Sequence, residues 1–321
     1  MARGGDGLRL AVTLGDPRGI GPEVARKAAD ALRAEPDRPR LVFVGPSGTG
    51  AEAAADEFIA TGAWTPGGAA AEAGRLAGLA IERGARLALA GEVDGLVTAP
   101  IDKSALHAGG YHYPGHTEML AHLAGDVDVV MLMDAETTGL GGPLRVVLAT
   151  THLPLAQVPA ALTSELIVAQ ARITAAGLRE GWGIARPRLA VCAVNPHASD
   201  GGLFGDEEAR ILEPALRTLR GEGIDAAGPI PADTVFVRAI RGEFDAVVAP
   251  YHDVGMAAFK TAAFGSGINV TLGLPFVRTS PDHGTALDIA GRGIADPGSM
   301  IEALRLAARL ASIRTQAATH R

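Results

Sequence analysis

The chain has 321 residues, of which 47% are hydrophobic and 20% are charged, a composition typical of a globular protein with room for two domains. Its net charge of -7 argues against nucleic acid as the main partner, because phosphate backbones are bound by clustered Lys and Arg. The single cysteine, Cys192, excludes an internal disulfide framework and a cysteine-built metal site.

The start of the chain predicts an α/β unit. MARGGDGLRLAV lacks the apolar core of a signal peptide, and no later stretch has the length of a membrane span, so we expect a cytoplasmic protein without membrane contact. A strand at 8–14 leads through a Gly-rich turn into a helix at 22–32. Neither this turn nor GPSGTG at 45–50 has the GxGxxG or P-loop spacing, so any nucleotide is expected to be bound by other means.

The next elements are less regular. We predict strands at 41–44 and 93–98, a helix at 72–90, and a loop with short helices over the Ala- and Gly-rich stretch 48–73. Another helical pattern opens at Gly115-His116-Thr117. Helix capping is the commoner reason for a Thr at such a place, and His116 on its own does not indicate a function.

Three predicted strands are each followed by a histidine. The strands at 144–150, 189–194 and 246–249 lead to His152, His197 and His252 respectively. Helical patterns at 163–178, 207–219 and 297–310 separate or follow them, which predicts a mainly parallel sheet. Ligands of such sheets bind beyond the carboxyl ends of the strands, so we expect the three imidazoles to converge there.

Imidazole is the commonest metal ligand, and three of them leave positions open for a substrate oxygen. For any one histidine, a hydrogen bond that caps the strand end is the more frequent explanation, but the repeated placement favours a metal site for the set. Asp253 and Asp282 are candidates to orient an imidazole, and a loop or capping role is about as frequent for each.

The last part of the chain supplies cations. Lys260 follows a short predicted loop, and a second apolar run at 268–274 contains Asn269 and leads to Arg278. Most Lys and Arg side chains are simply solvated, but these two flank a strongly apolar strand, where solvation is less easy. Such a donor cluster typically recognises an anionic group such as phosphate. The residues therefore predict a site for a small phosphorylated compound with one oxygen on a metal.

Seven blocks of sequence carry a family resemblance over nearly the whole chain. They are GDPRGIGPE from Gly15, GHTE from Gly115, TTHLPL from Thr150, NPHASDGGLFGDEE from Asn195, GPIPADT from Gly228, YHD from Tyr251 and GINVTLGLPFVRTSPDHGTALDIAG from Gly267. With these blocks the chain resembles the 4-hydroxythreonine-4-phosphate dehydrogenase family of vitamin B6 biosynthesis.

The resemblance implies a reaction and a set of site residues. The reaction is oxidation of 4-phosphohydroxy-L-threonine at its 3-hydroxyl with NAD or NADP, followed by decarboxylation to 3-amino-2-oxopropyl phosphate, in pyridoxal 5'-phosphate biosynthesis. One divalent metal ion per site (zinc, cobalt, magnesium or manganese) is expected on His152, His197 and His252. Substrate and phosphate contacts are expected from His116, Thr117, Lys260, Asn269 and Arg278. Catalytic roles are expected for His116, Lys260 and Asp253.

The resemblance also implies an architecture. The family has two α/β domains with mainly parallel sheets and a central cleft, similar to isocitrate and isopropylmalate dehydrogenases, which bind the dinucleotide without the usual fingerprint. We expect one domain from 1–124 with 279–321, and a second from 125–278 that carries most metal and phosphate contacts. The family resemblance further implies a homodimer whose metal site takes ligands from both subunits.

Some residues depart from the family pattern and leave the substrate open. The usual Gln after YHD is Val254 and the expected Pro is absent at Ala257-Ala258, while Ser199-Asp200 stand where Gly-Glu is usual. Alternative substrates are phosphorylated threonate or erythronate, or a cis-dihydrodiol. His116, Lys260 and Arg278 favour a phosphorylated one. A non-catalytic protein that binds a phosphorylated metabolite is a further alternative.

Overall fold

The computed structural model of the protein describes residues 7–319. These residues form two compact units, one containing the described residues up to Val129 and from Leu274 onward, and the other Val130–Gly273. The predicted domains, 1–124 with 279–321 and 125–278, stay a prediction, and residues 1–6 and 320–321 of the first lie outside the described residues. Arg278, expected at the end of the second domain, lies in the first unit.

The first unit has a parallel sheet. Its strands, numbered along the whole chain, are β1 (Arg9–Thr13), β2 (Arg40–Ser47), β3 (Glu57–Ala63), β4 (Gly95–Thr98) and β11 (Val277–Pro281). Their order is β3-β2-β1-β4-β11, and every neighbouring pair is parallel. The inner strands are buried on both faces, which is the usual state of a parallel sheet covered by helices.

Helices follow or separate these strands. They are α1 (Gly21–Leu32), α2 (Ala70–Leu89), α3 (Lys103–Ala108), α4 (His116–Leu123) and α10 (Gly298–Thr319), with a 3₁₀ turn at Glu52–Ala54. The predicted strand at 8–14 and the helices at 22–32 and 72–90 are confirmed. The prediction of a loop over 48–73 was wrong for β3, because this edge strand is largely exposed and its EFIATGA sequence lacks a buried apolar face.

The second unit has a mixed sheet. Its strands are β5 (Val130–Ala135), β6 (Leu144–Leu148), β7 (Arg188–Cys192), β8 (Asp225–Ile230), β9 (Ala246–Ala249) and β10 (Ile268–Leu272). They lie in the order β10-β5-β6-β9-β7-β8. The β10-β5 and β5-β6 pairs are antiparallel and the other pairs are parallel. The three histidine-bearing strands β6, β9 and β7 are thus parallel neighbours, as the sequence predicts.

The helices of the second unit include three that the sequence analysis did not predict. The helices of this unit are α5 (Val158–Ala161), α6 (Ser164–Trp182), α7 (Glu213–Gly221), α8 (Ala232–Ile240) and α9 (His252–Ala263), with short 3₁₀ segments at Leu155–Gln157 and Pro196–Gly202 and a π-helical turn at Glu208–Leu212. Of these, α6 and α7 were predicted, at 163–178 and 207–219. We expected a short loop before Lys260. This prediction was wrong, because helix α9 begins at His252 and Lys260 lies within it. Its buried Gly255 and Phe259, four residues apart, hold this helix against the core.

The core of the second unit contains a buried charge. Arg145 on β6 is 8% exposed, and its Nε lies 2.8 Å from the carboxylate of Asp134 on β5, with which it forms an ion pair. Its guanidinium carbon lies 5.2 Å from the centre of the Trp182 ring, whose Nε1 donates to Glu136 at 3.0 Å. A buried charge is tolerated when it is paired in this way. None of the helices within residues 7–319 is long and apolar enough to cross a membrane.

Candidate active site

The first unit presents a buried cation at the sheet. Arg278 lies on β11 beside β4, is 3% exposed, and donates from Nη2 to the hydroxyl of Thr98 at 2.7 Å. Burial lowers the pKa of Arg278 to about 10, against the opposing effect of the Glu118 carboxylate. The guanidinium is still charged at neutral pH, so it is a desolvated positive charge suited to a bound anion.

His116 opens α4 close to this cation. Its side chain is partly buried, and its Nε2 is enclosed without a hydrogen-bond partner among the described residues. Burial, and after it the positive charges of Arg278 and Lys103, hold the pKa of His116 well below its usual range. The imidazole is therefore neutral at physiological pH. Thr117 does not cap the helix, because the N-cap residue is Gly115 and no side-chain cap is formed.

The second unit brings two of the predicted metal ligands together. Beyond β6 and β9, the backbone N–H of Ala149 donates to Ala249 at 2.9 Å, and the Thr150 hydroxyl donates to the carbonyl of Pro250 at 2.8 Å. These bonds keep the two chain segments adjacent past the strand ends. The rings of His152 and His252, which follow, have centroids 5.6 Å apart.

The paired imidazoles border a cavity of about 230 Å³. The Nδ1 of His252 is 2.8 Å from the carboxylate of Asp253, so the other ring nitrogen, Nε2, is the one suited to a metal. The Asp253 side chain itself is 87% exposed, which makes this contact weak. The expectation that Asp253 orients an imidazole agrees with this contact.

His197 lies on a separate exposed turn, with its ring centroid 6.5 Å from that of Phe204. Within residues 7–319, no group of three or more His, Cys, Asp or Glu side chains is arranged to hold a metal ion. The structure therefore pairs His152 with His252 and does not gather all three histidines in one chain. The assignment of three ligands stays a prediction.

The remaining predicted residues are spread over several elements. Lys260 is half-buried in the last turn of α9, and Asn269 is half-buried on β10 in register with Met133. The backbone N–H of Asp282 donates to the hydroxyl of Ser299 at 3.1 Å, which supports the loop role considered for this residue. The substrate-binding and catalytic assignments for these residues stay predictions.

The sequence did not indicate a cavity of about 630 Å³ in the first unit. One edge is Arg18, whose backbone N–H and guanidinium both donate to the buried carboxylate of Asp16, and this contact raises the pKa of Arg18. The other edges are Gly-rich turns after β1, β2 and β3 and before the start of α10. Lining residues include Thr49, Trp64, Pro66, Gly67, Gly68 and Gly291. The sequence feature that could have pointed to this cavity is the repeated Gly in these turns, because Gly lets a ligand approach the backbone closely.

Known proteins match this chain over nearly its whole length. A family model described as pyridoxal phosphate biosynthetic protein PdxA matches residues 22–307. A relative from Paracoccus denitrificans named 4-hydroxythreonine-4-phosphate dehydrogenase is 46% identical, and the match covers 95% of this chain and 98% of that protein. A relative from Bradyrhizobium diazoefficiens that carries D-threonate 4-phosphate dehydrogenase in its name is 43% identical over 94% of this chain and 96% of its own.

Solved structures agree with these matches. The structure of 4-hydroxythreonine-4-phosphate dehydrogenase from Klebsiella pneumoniae is 39% identical and superposes with a TM-score of 0.85, over 95% of this chain and 99% of that one. A β-decarboxylating dehydrogenase from Thermococcus kodakarensis has a TM-score of 0.50 at 16% identity, over 97% of this chain and 88% of that one. The second likeness concerns the fold alone, and it confirms the predicted fold class.

The fold and these matches define an α/β dehydrogenase, a class of enzyme that uses a nicotinamide cofactor. The matched family model covers most of the chain, and the matched relatives are of nearly equal length. The chain belongs to the PdxA family of pyridoxal phosphate biosynthetic proteins. Family membership favours the enzyme over the alternative of a non-catalytic binding protein.

Proposed function

We propose that this enzyme oxidises 4-phosphohydroxy-L-threonine at its 3-hydroxyl and decarboxylates the resulting ketone to 3-amino-2-oxopropyl phosphate. In the overall reaction NAD or NADP accepts a hydride, the carboxylate leaves as CO₂, and the hydroxyl proton is balanced by protonation of C2. The observation that carries the proposal is the buried guanidinium of Arg278 beside the enclosed, unpartnered Nε2 of His116. A cytoplasmic location belongs to the same proposal.

The phosphorylated substrate needs positive charge and hydrogen-bond donors. Arg278 supplies a desolvated charge, which binds a phosphate more strongly than a solvated one does. The family resemblance adds Thr117, Lys260 and Asn269 to this set of contacts. Because His116 is neutral, it can accept a proton from a substrate hydroxyl, while Lys260 can deliver a proton to C2 after the carboxylate leaves.

A divalent metal fits the paired imidazoles of the second unit. His152 and His252 are close enough to share one ion, and the family resemblance adds His197. A metal there would stabilise negative charge on the substrate oxygen during oxidation and decarboxylation. Nitrogen ligands favour zinc or cobalt over magnesium and manganese. The contact of the His252 Nδ1 with Asp253 leaves Nε2 as the ring nitrogen available to the ion.

We assign the nicotinamide cofactor to the cavity of about 630 Å³ in the first unit. Such a volume is typical of a small-molecule site. The cavity offers Gly-rich turns and the guanidinium of Arg18, which suit a pyrophosphate, and the ring of Trp64, which suits an aromatic base. These features replace the fingerprint that the sequence lacks. They do not favour NAD over NADP.

A homodimer is the assembly that we infer for the enzyme. Large apolar side chains beside the predicted metal ligands are exposed. Leu155 beside His152 is 66% exposed, and Phe204 beside His197 is 45% exposed. A second copy of the chain would bury these side chains and bring further ligands to the imidazoles. Light scattering of the purified protein tests the assembly, and a monomer at micromolar concentration would contradict it.

A second candidate substrate is D-threonate 4-phosphate, because a relative at 43% identity carries that compound in its name. The two compounds share the phosphate and the 3-hydroxyl and differ at C2, where one has an amine and the other a hydroxyl. Both would use Arg278 in the same way, so the phosphate site does not separate them.

The test is an assay of metal-stripped enzyme with each substrate and with a cis-dihydrodiol, using NAD and NADP, before and after addition of zinc, cobalt, magnesium or manganese. The proposal expects metal-dependent reduction of the nicotinamide and release of CO₂ with 4-phosphohydroxy-L-threonine. Faster turnover of D-threonate 4-phosphate would assign the second candidate. No reduction of NAD or NADP with any phosphorylated substrate and any metal would reject the proposed reaction.

A further inference from the structure

A buried carboxylate lies behind the turn that carries His197. Glu208 is 2% exposed and stands at the start of the π-helical turn Glu208–Leu212. Its Oε1 accepts hydrogen bonds from the backbone N–H groups of Val194 and Asn195 at 2.8 and 2.7 Å. Its Oε2 accepts from the side-chain amide of Asn195 at 2.9 Å and from the hydroxyl of Ser199. Both oxygens of this one carboxylate therefore fasten the two ends of the turn.

The turn itself has a backbone conformation that requires support. Four consecutive residues other than Gly have positive φ angles: 54° at His197, 54° at Ala198, 67° at Ser199 and 43° at Asp200. The left-handed conformation costs roughly 1–2 kcal/mol for each such residue. The turn is exposed at His197 and buried at Ser199. Two backbone hydrogen bonds, from Ala198 to Asn195 and from Phe204 to Ser199, hold it together with the hydrogen bonds to Glu208.

The carboxylate is held in its charged form. Burial by itself raises the pKa of Glu208, but the hydrogen bonds from Ser199 and Asn195 outweigh burial and lower it. A charged acceptor forms stronger hydrogen bonds than a neutral one. The hydroxyl of Ser199 is one of the two side-chain donors to this carboxylate, the other being the amide of Asn195.

We propose that Glu208 is a positioning residue that sets the location of the His197 imidazole for metal binding, with Ser199 as its partner. The inference rests on the proposed metal site. Glu208 does not touch the metal or the substrate. It acts by fixing the turn between Asn195 and Ser199, so that His197 does not have to be ordered at the moment when the ion binds.

Cobalt is the probe for the test, because its visible absorption reports the geometry of the ligands. The metal-stripped full-length enzyme is titrated with Co²⁺ alone, as the wild type and as the variants Glu208→Gln, Ser199→Ala and His197→Ala. Glu208→Gln keeps the shape of the side chain but replaces one of its two oxygens by an NH₂ group. Two of the four hydrogen-bond donors that now face the carboxylate would then face this NH₂ group. The matched control is Glu213→Gln, which removes a carboxylate from the exposed start of α7.

We expect the Co²⁺ dissociation constant to rise roughly 10- to 100-fold in Glu208→Gln, as is usual when a group that supports a metal ligand is lost. Ser199→Ala removes one of the four hydrogen bonds and should raise it roughly 3- to 10-fold. The absorption spectrum at saturating Co²⁺ should change in both variants. Glu213→Gln should match the wild type.

The outcomes separate the two proposals. If Glu208→Gln has a lower melting temperature but binds Co²⁺ within twofold of the wild type and with the same spectrum, Glu208 is purely structural and the inference is overturned. If Glu208→Gln does not fold, Ser199→Ala decides the question by the same criteria. Unchanged Co²⁺ binding in His197→Ala would instead remove His197 from the metal site, and the inference would fall with it.

Discussion

The two units prepare their polar groups in different ways. In the first, Arg278 lies opposite Leu96 on the neighbouring strand, and its side chain reaches the hydroxyl of Thr98, two residues further along and therefore on the same face of the sheet. In the second, His152, His197 and His252 lie past the ends of β6, β7 and β9, where backbone and side-chain bonds between turns decide their positions. A site built on strands is fixed when the sheet folds, whereas a site built on turns depends on a few individual hydrogen bonds.

The largest effect should come from the histidines beyond the strand ends of the second unit. His252→Ala removes one of the paired imidazoles, and we expect turnover to fall about 1000-fold because the stabilisation of several kcal/mol that a metal provides is lost. Metal analysis of the purified variant should show loss of the ion. His122→Ala, at an exposed histidine of α4, is the control and should retain both. Full metal content in His252→Ala would exclude this residue as a ligand.

Loss of Arg278, the cation on β11, should affect binding of the substrate more than the rate of the chemical step. In Arg278→Met, the KM for the phosphorylated substrate should rise about 10- to 100-fold, the loss expected for one charged hydrogen-bond donor, with a smaller change in kcat. Steady-state kinetics measures both constants. Arg83→Met, at an exposed position of α2, should behave as the wild type. An unchanged KM in Arg278→Met would make Arg278 a structural residue.

The neutral state of His116 predicts a dependence of stability on pH. The pKa of His116 is depressed in the folded enzyme, so its contribution is present above the unfolded pKa of about 6.5 and is lost as the pH falls below it. Between pH 6.5 and 5.5, the wild type should therefore lose up to about 1 kcal/mol more unfolding free energy than His116→Asn.

Urea unfolding of both proteins at several pH values measures this difference. His122→Asn tests whether any histidine of α4 has the same effect, because the His122 side chain is 54% exposed. That variant should follow the wild type. If the unfolding free energies of the wild type and His116→Asn change with pH in parallel, His116 takes up its proton equally in the folded and unfolded chains.

The smallest effect should come from the Gly-rich cavity. Gly67 and Gly91 have φ angles of 83° and 65°, and a Cβ at either would meet no atom within 4 Å. Replacement by Ala should destabilise both by about 1–2 kcal/mol through backbone strain alone. Only Gly67→Ala should also raise the KM for the nicotinamide cofactor, by a few-fold, because only Gly67 lines the cavity. Equal effects of the two variants on this KM would place the cofactor elsewhere.

Much of the fold could be predicted from the sequence. The strand at 246–249 coincides with β9, since its four residues are all buried and apolar. The parallel order of β6, β9 and β7 followed from strands alternating with helices. The antiparallel strand β5, the strand β11 that carries Arg278, and the edge strands β3 and β8 were missed. Edge strands carry little periodic signal, and β8 is DAAGPI, with Gly and Pro inside it.

The candidate site was less predictable than the fold. Strand order placed His152 and His252 together, because both follow parallel neighbours. The exposed, left-handed turn at His197 could not be foreseen, since it depends on a bond from Ser199 to a glutamate nine residues later. The cavity of the first unit was missed for a related reason. Its walls are backbone turns from distant parts of the sequence, with no single spaced motif.

The chain has two tryptophans, and each unit contains one of them. Trp64 lines the large cavity of the first unit, while Trp182 lies in the second, with its ring against Arg145 and its N–H bound to Glu136. The enzyme thus carries its own pair of optical probes. In Trp182→Phe the remaining emission comes from the cavity wall, where a reduced nicotinamide would quench it by energy transfer. In Trp64→Phe the emission follows the unfolding of the second unit alone.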